Sequence, residues 1–93
     1  MITMNRILVI LTIDTENPPE DFQQILKHER EVVAQWKNEG FLEQLFLRPS
    51  KNGAVFIFKH IDEEKVNQLM TTLPLYPFKK SIEVFPLIKD KDF

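Results

Sequence analysis

From residue 6 to residue 13 the chain is aliphatic and β-branched without polar alternation, the pattern of a strand covered on both faces. Residues 21–39 repeat their apolar positions at helical spacing, and Gly40 follows as a residue suited to the left-handed turn that ends a helix. Ahead of that helix, Asn17, Pro18, Pro19 and Glu20 read as its start, with Asn17 as N-cap, proline at the first helical position and an acid three residues after the cap. Residues 41–48 and 54–60 read as two antiparallel strands, joined by a loop in which Asn52-Gly53 supplies positive φ angles. Asp62 caps a shorter helix with Val66, Leu69, Met70 and Leu73 on one face, and Pro74 ends it. Residues 81–87 make a last strand, and the charged tail 89–93 frays, with Phe93 free to dock on a neighbour.

The order β-α-β-β-α-β predicts an α+β, ferredoxin-like fold in one domain spanning residues 1–93: a four-stranded antiparallel sheet with both helices on one face. The middle strands carry apolar side chains on both sides, Val55 and Ile57 on one and Phe56 and Phe58 on the other, with Leu45, Phe46 and Leu47 similarly divided. Helices cover only one set. The other calls for a second sheet, which a homodimer provides by packing face to face into a barrel-like body, with room for higher assembly.

Glu29 stands out against this pattern. Turning the helix by about 100° per residue places Phe22, Ile25, Leu26, Val32, Val33 and Trp36 within about 60° of it, so the acid sits in the middle of the apolar stripe. A lone carboxylate in such surroundings costs several kcal/mol. It therefore has a partner, is protonated, or faces a cavity where something binds. A structural role, hydrogen-bonded by Tyr76 or a lysine within or across a dimer, stands beside the functional one.

Composition narrows the chemistry. With 93 residues, 43% hydrophobic and eight of them Phe, the chain buries only roughly 60–65% of its unfolded surface, so apolar surface remains to share with a second copy. Twelve basic against fourteen acidic residues give a net charge of −2, which offers no basic field to a nucleic acid. Lys51 to Phe58 superficially resembles the aromatic third strand of an RNA-recognition motif, but the spacing of glycine and aromatics is wrong for it. The absence of cysteine excludes disulfides, thiolate catalysis and cysteine-held metals. The apolar run at residues 7–11 is too short to span a membrane, and the expected location is the cytoplasm. Met4 is an alternative start, because residues 1–3 add nothing the first strand needs. His28, about 100° from the stripe centre, and His60, at a strand end, read as boundary or surface histidines without a spaced carboxylate partner. No metal or cofactor is expected.

Leu73-Pro74-Leu75-Tyr76-Pro77-Phe78 has a plain reading as a rigid connector, since proline fixes φ and aromatic loop residues cap cores. Together with Leu69-Met70 before it and Ile82-Glu83-Val84 after it, it resembles the C-terminal half of the muconolactone delta-isomerase family. In the first helix Glu29-Arg30-Glu31, Ala34-Gln35 and Glu39-Gly40 are similar to that family's acid-base-acid run ending in Glu-Gly. The resemblance covers about residues 26–87. It implies a dimeric α+β barrel assembled into larger rings, isomerising a five-membered unsaturated lactone in aromatic catabolism without metal or cofactor. By resemblance, Glu29 falls on the helix carboxylate that carries the proton and Arg30 on the basic residue beside it. The chain departs where the family has Trp-Arg on the second strand, having Phe46-Leu47 there, with Arg48 displaced by one residue and so aimed at the opposite face. The family's polar third strand is replaced by Lys51, Asn52, Gly53, Ala54 and Val55.

Moving a carbon–carbon double bond along a lactone needs a base that removes a proton alpha or gamma to the carbonyl and returns it two carbons away. The expected site has Glu29 and Arg30 as catalytic groups, with Phe22, Val33, Trp36 and Tyr76 binding the substrate in a pocket between first helix and sheet, reached past Tyr76. Apolar walls raise the acid's pKa toward working pH, and Arg30, Lys59 or Tyr76 is available to face the enolate oxygen. The competing class is a non-catalytic small-ligand-binding or structural oligomer. His28 beside Glu29 resembles the YCII-related barrels in this respect, although their Asp-Pro-Tyr is replaced by Leu75-Tyr76-Pro77.

Overall fold

The computed structural model describes residues 5–93; the alternative start at Met4 lies outside the described residues. The elements are β1 (Asn5–Ile13), α1 (Phe22–Asn38), β2 (Leu42–Leu47), β3 (Gly53–Lys59), α2 (Glu63–Thr71), a 3₁₀ turn (Tyr76–Phe78) and β4 (Lys79–Ile88). The four strands lie in the order β2-β3-β1-β4, every pair antiparallel. This is the ferredoxin-like arrangement that the element order predicts.

Strand alternation divides the sheet. Ile7, Val9 and Leu11 on β1 stand opposite Phe58, Phe56 and Ala54 on β3, and all six are buried in one cluster with Val33 and Trp36 of α1 and Val66 and Met70 of α2. Trp36 packs its ring 5.7 Å from Phe58 and 6.5 Å from Phe56, spacings at which tilted aromatic pairs attract. The opposite face carries Leu8, Ile10, Val55 and Ile57, all partly exposed, beside exposed Phe46, Phe85 and Leu87. The two-sided apolar pattern is thus real, and none of the described elements covers its second side.

The ends of the helices follow their sequence to different degrees. At the C-terminus of α1 Gly40 takes φ 87°, while Gly40 N–H donates to the Lys37 carbonyl and Phe41 N–H to that of Trp36, the paired bonds of a Schellman motif. Asp62 caps α2 by accepting from Lys65 N–H at 2.8 Å. The start of α1 differs from expectation: Asn17 is not its cap. The helix begins at Phe22 after Asp21, whose side chain makes no capping bond. Two adjacent prolines explain this, because Pro19 disfavours helical φ/ψ at Pro18, and the chain turns only at Pro19–Phe22, where Phe22 N–H reaches the Pro19 carbonyl.

The β2–β3 loop also differs in detail. Positive φ falls on Lys51 and Gly53 rather than on Asn52. Gly53 is required for a further reason, since a Cβ there would overlap the Leu11 carbonyl oxygen. β4 runs longer than expected, pairing with β1 along its length with a bulge at Thr12/Ile13. It is an edge strand, which tolerates Pro86 within it. Phe93, at the end of the tail, is fully exposed.

Candidate functional site

Between α1 and the β2–β3 side of the sheet lies an open cavity of about 730 Å³, within the usual range for small-ligand sites. Phe22, Leu26, Glu29 and Val33 line it from the helix, Leu11, Leu45, Ala54 and Phe56 from the sheet, and Leu75 from the connector after α2. The apolar stripe of α1 does not close fully on the sheet here. β2 meets β3 through a register shift between Leu42 and Gln44, and the cavity lies along this side.

Glu29 is 7% exposed, the buried charged residue of the described chain. Its Oε1 accepts a 3.0 Å hydrogen bond from the backbone N–H of Leu75. Burial pushes its carboxyl above the ordinary value, while the Leu75 amide and the charge of His28 pull the other way. Oε2 has no donor among the described residues. As no sealed side-chain oxygen among those residues lacks a partner, Oε2 keeps contact with the open space. The acid therefore has a partner and faces a cavity at once, and within the chain that partner is the main-chain amide of Leu75.

The expected site residues separate. Glu29, Arg30, Phe22 and Val33 come together at the cavity, Arg30 at its exposed rim. Trp36 and Tyr76 are absent from the lining. Trp36 points about 20° to the far side of Glu29 on the helical wheel, toward Phe56 and Phe58, and is spent on the core at 4% exposure. Tyr76 lies under the ammonium of Lys79, 4.3 Å from the ring centre. Lys59 is also away from the cavity, opposite Arg6 in the sheet register.

Residues that the sequence reading did not place here add positive charge. Lys37, Arg48 and Lys51 join Arg30 on the lining. Lys37 follows Arg30 by seven residues, two helical turns, so a shared stripe was available as a signal. Arg48 donates from Nη1 to Thr12 Oγ1 at 2.8 Å, which holds it at the end of the sheet where Thr12 alternates with Leu11 to the opposite face. Glu43 also lines the cavity, but its carboxylate is engaged by Arg6 at 2.8 and 3.1 Å, and that guanidinium holds it below the usual carboxylate range. The acid on the lining that keeps an oxygen without a side-chain or main-chain donor among the described residues is Glu29. Among the described residues no group of three or more His, Cys, Asp or Glu is placed to hold a metal, and no helix is long and apolar enough to cross a membrane.

An amide-tethered carboxylate with one free oxygen, apolar walls and cations at the rim is equipped to take and return a proton on a small apolar molecule. In backbone, the chain is similar to a crystal structure of muconolactone isomerase, with a TM-score of 0.77 at 21% identity over 95% of this chain and 93% of that one. It is also similar to an antibiotic biosynthesis monooxygenase, with a TM-score of 0.56 at 18% identity over 94% and 97% of the two chains. A hypothetical protein from Pyrococcus horikoshii matches with a TM-score of 0.51 at 10% identity over 95% and 94%. At these identities the likenesses show a shared fold. No functionally curated protein matches the chain in sequence. The pattern of the muconolactone delta-isomerase family matches residues 7–92, nearly the whole length, and the chain belongs to that family.

Proposed function

We propose that this chain moves a carbon–carbon double bond within a small unsaturated lactone or cyclic ketone, by a 1,3-proton shift that needs no cofactor, with Glu29 as the proton carrier. The observation that carries this reading is Glu29 itself: buried, raised in pKa, tied at Oε1 and open at Oε2 toward a ligand-sized cavity. Oε2 takes a proton from the carbon alpha or gamma to the carbonyl. The C–H electron pair enters a dienolate whose charge gathers on the carbonyl oxygen, and the same acid returns the proton two carbons away. Phe22, Val33 and Leu75 hold the ring still and exclude water, which strengthens the attraction between the enolate oxygen and a rim cation. Arg30 is the cation proposed for that role.

The protein acts, in this reading, as one domain that pairs with a second copy through the uncovered sheet face of Leu8, Ile10, Val55, Ile57 and Phe85. A patch of this kind is unusual on a monomer.

A second reading rests on a specific observation. Phe46 and Leu47 stand exposed where the resemblance led to Trp-Arg, so a barrel that binds a small ligand without converting it is the alternative. Muconolactone incubated with the purified protein, followed by proton NMR with chelator present, separates the two. Appearance of the isomer with the shifted double bond supports the enzyme. Saturable binding without conversion supports the second reading, and neither binding nor conversion overturns both for this ligand.

A further inference from the structure

We propose that the backbone amide of Leu75 is a positioning group, which holds Oε1 of Glu29 so that the carboxylate keeps one orientation and Oε2 alone handles the proton. This inference rests on the proton-transfer reading of Glu29 for its purpose, but the tether and its rigidity stand on geometry.

The connector that supplies the amide is fixed on every side. Leu73 N–H donates to the Met70 carbonyl, Tyr76 N–H to that of Leu73, and Phe78 N–H to that of Leu75, while the Phe78 carbonyl accepts from Asp14 N–H beyond the end of β1. Pro74 and Pro77 restrict φ on either side of the Leu75–Tyr76 pair, and Leu73 and Leu75 are each 2% exposed. Within this run the Leu75 N–H is given to a side chain 46 residues away. A carboxylate on a helix has several rotamers. A fixed donor selects one of them, and catalysis depends steeply on such placement.

Leu75 also lines the cavity and is buried beside Glu29, so its two parts are assigned opposite senses. The amide favours the ionised acid and the apolar wall disfavours it. That opposition gives a test. Replacing the residue 75 amide by an ester, through semisynthesis with the hydroxy-acid analogue of leucine, removes the N–H and keeps the wall. Leu75→Ala keeps the N–H and thins the wall. The readout is the titration midpoint of the Glu29 side-chain carbonyl carbon by NMR, independent of turnover. The other charged groups that line the cavity or act on Glu29 are His28, Arg30 and Lys37 on α1, and Glu43, Arg48 and Lys51 on the β2 side. All are unchanged in both variants.

The ester is expected to raise the Glu29 midpoint and Leu75→Ala to lower it. With muconolactone as probe, the ester is expected to cut kcat about 10- to 100-fold and move the acid limb of its pH profile upward. An ester protein whose Glu29 titrates as in the unaltered chain overturns the proposal. If the ester protein does not fold, the Leu75 amide proton of the unaltered chain decides: it is expected to shift with the Glu29 titration, and indifference to it overturns the tether. A raised midpoint without turnover of muconolactone by the unaltered chain would leave the tether standing, remove its catalytic purpose and count against the proposed function instead.

Discussion

Glu29 and Leu75, 46 residues apart in sequence, are joined by a 3.0 Å hydrogen bond from main-chain amide to carboxylate in the wall of the cavity. The bond compensates only part of the cost of burial, since the carboxyl remains raised above its ordinary 4.5. A carboxyl whose pKa is higher folded than unfolded binds its proton more tightly in the folded state. Its contribution to stability is therefore greatest below the unfolded value and falls as pH rises from there through the folded value, then levels. Glu29→Gln keeps an oxygen for the Leu75 N–H and removes the charge. The expected outcome is a Tm above that of the unaltered chain near neutral pH and a gap that closes as pH falls below the unfolded pKa. Thermal melts across pH check it; a variant less stable at neutral pH contradicts it.

Trp36 packs in the core and lies outside the cavity lining. Trp36→Ala removes the ring that packs on Phe56 and Phe58, and the expected cost is about 3–5 kcal/mol, read from urea denaturation. Phe22→Ala, at the partly exposed cavity wall, is expected to cost less stability and to weaken ligand binding more.

Gly53 is held by contact rather than by sequence preference alone. Gly53→Ala drives a methyl group into the Leu11 carbonyl, a main-chain atom with little room to move. A loss of about 1–3 kcal/mol is expected, measured by the same denaturation. At Gly40 φ is 87° and nothing lies within 4 Å of the place a methyl group would take. Its change to Asn, which tolerates that conformation, is expected to cost less.

The uncovered sheet face gives an assembly prediction. Phe85 is 45% exposed, so Phe85→Glu disturbs the isolated chain little but places a charge in the proposed sheet-to-sheet contact. Sedimentation is expected to show a self-associated unaltered chain and a variant shifted toward monomer. A monomeric unaltered chain would contradict the pairing.

The sequence displays the fold because each element carries its own local signal: continuous aliphatics for β1, helical periodicity and Gly40 for α1, Asp62 for α2. It displays Glu29 because a charge in an apolar stripe violates the pattern. The helix wheel shows which residues lie on that stripe, but not which of them meet the sheet and which meet empty space. Trp36 and Val33 are neighbours on the wheel, yet one fills the core and the other also walls the cavity. The difference is set by how the helix seats on the sheet, which has no one-dimensional mark. The Leu75 amide was invisible for a simpler reason: every residue but proline has such a group, and only the fold aims this one at Glu29.

Whether Glu29 carries the proton is decided by the rate of muconolactone isomerisation by the unaltered chain and by Glu29→Gln, with folding of both verified by circular dichroism. Turnover by the unaltered chain is expected, with a fall of about 10²- to 10⁴-fold in kcat for the variant and the fold intact. Equal turnover by the two proteins would show that Glu29 carries no proton.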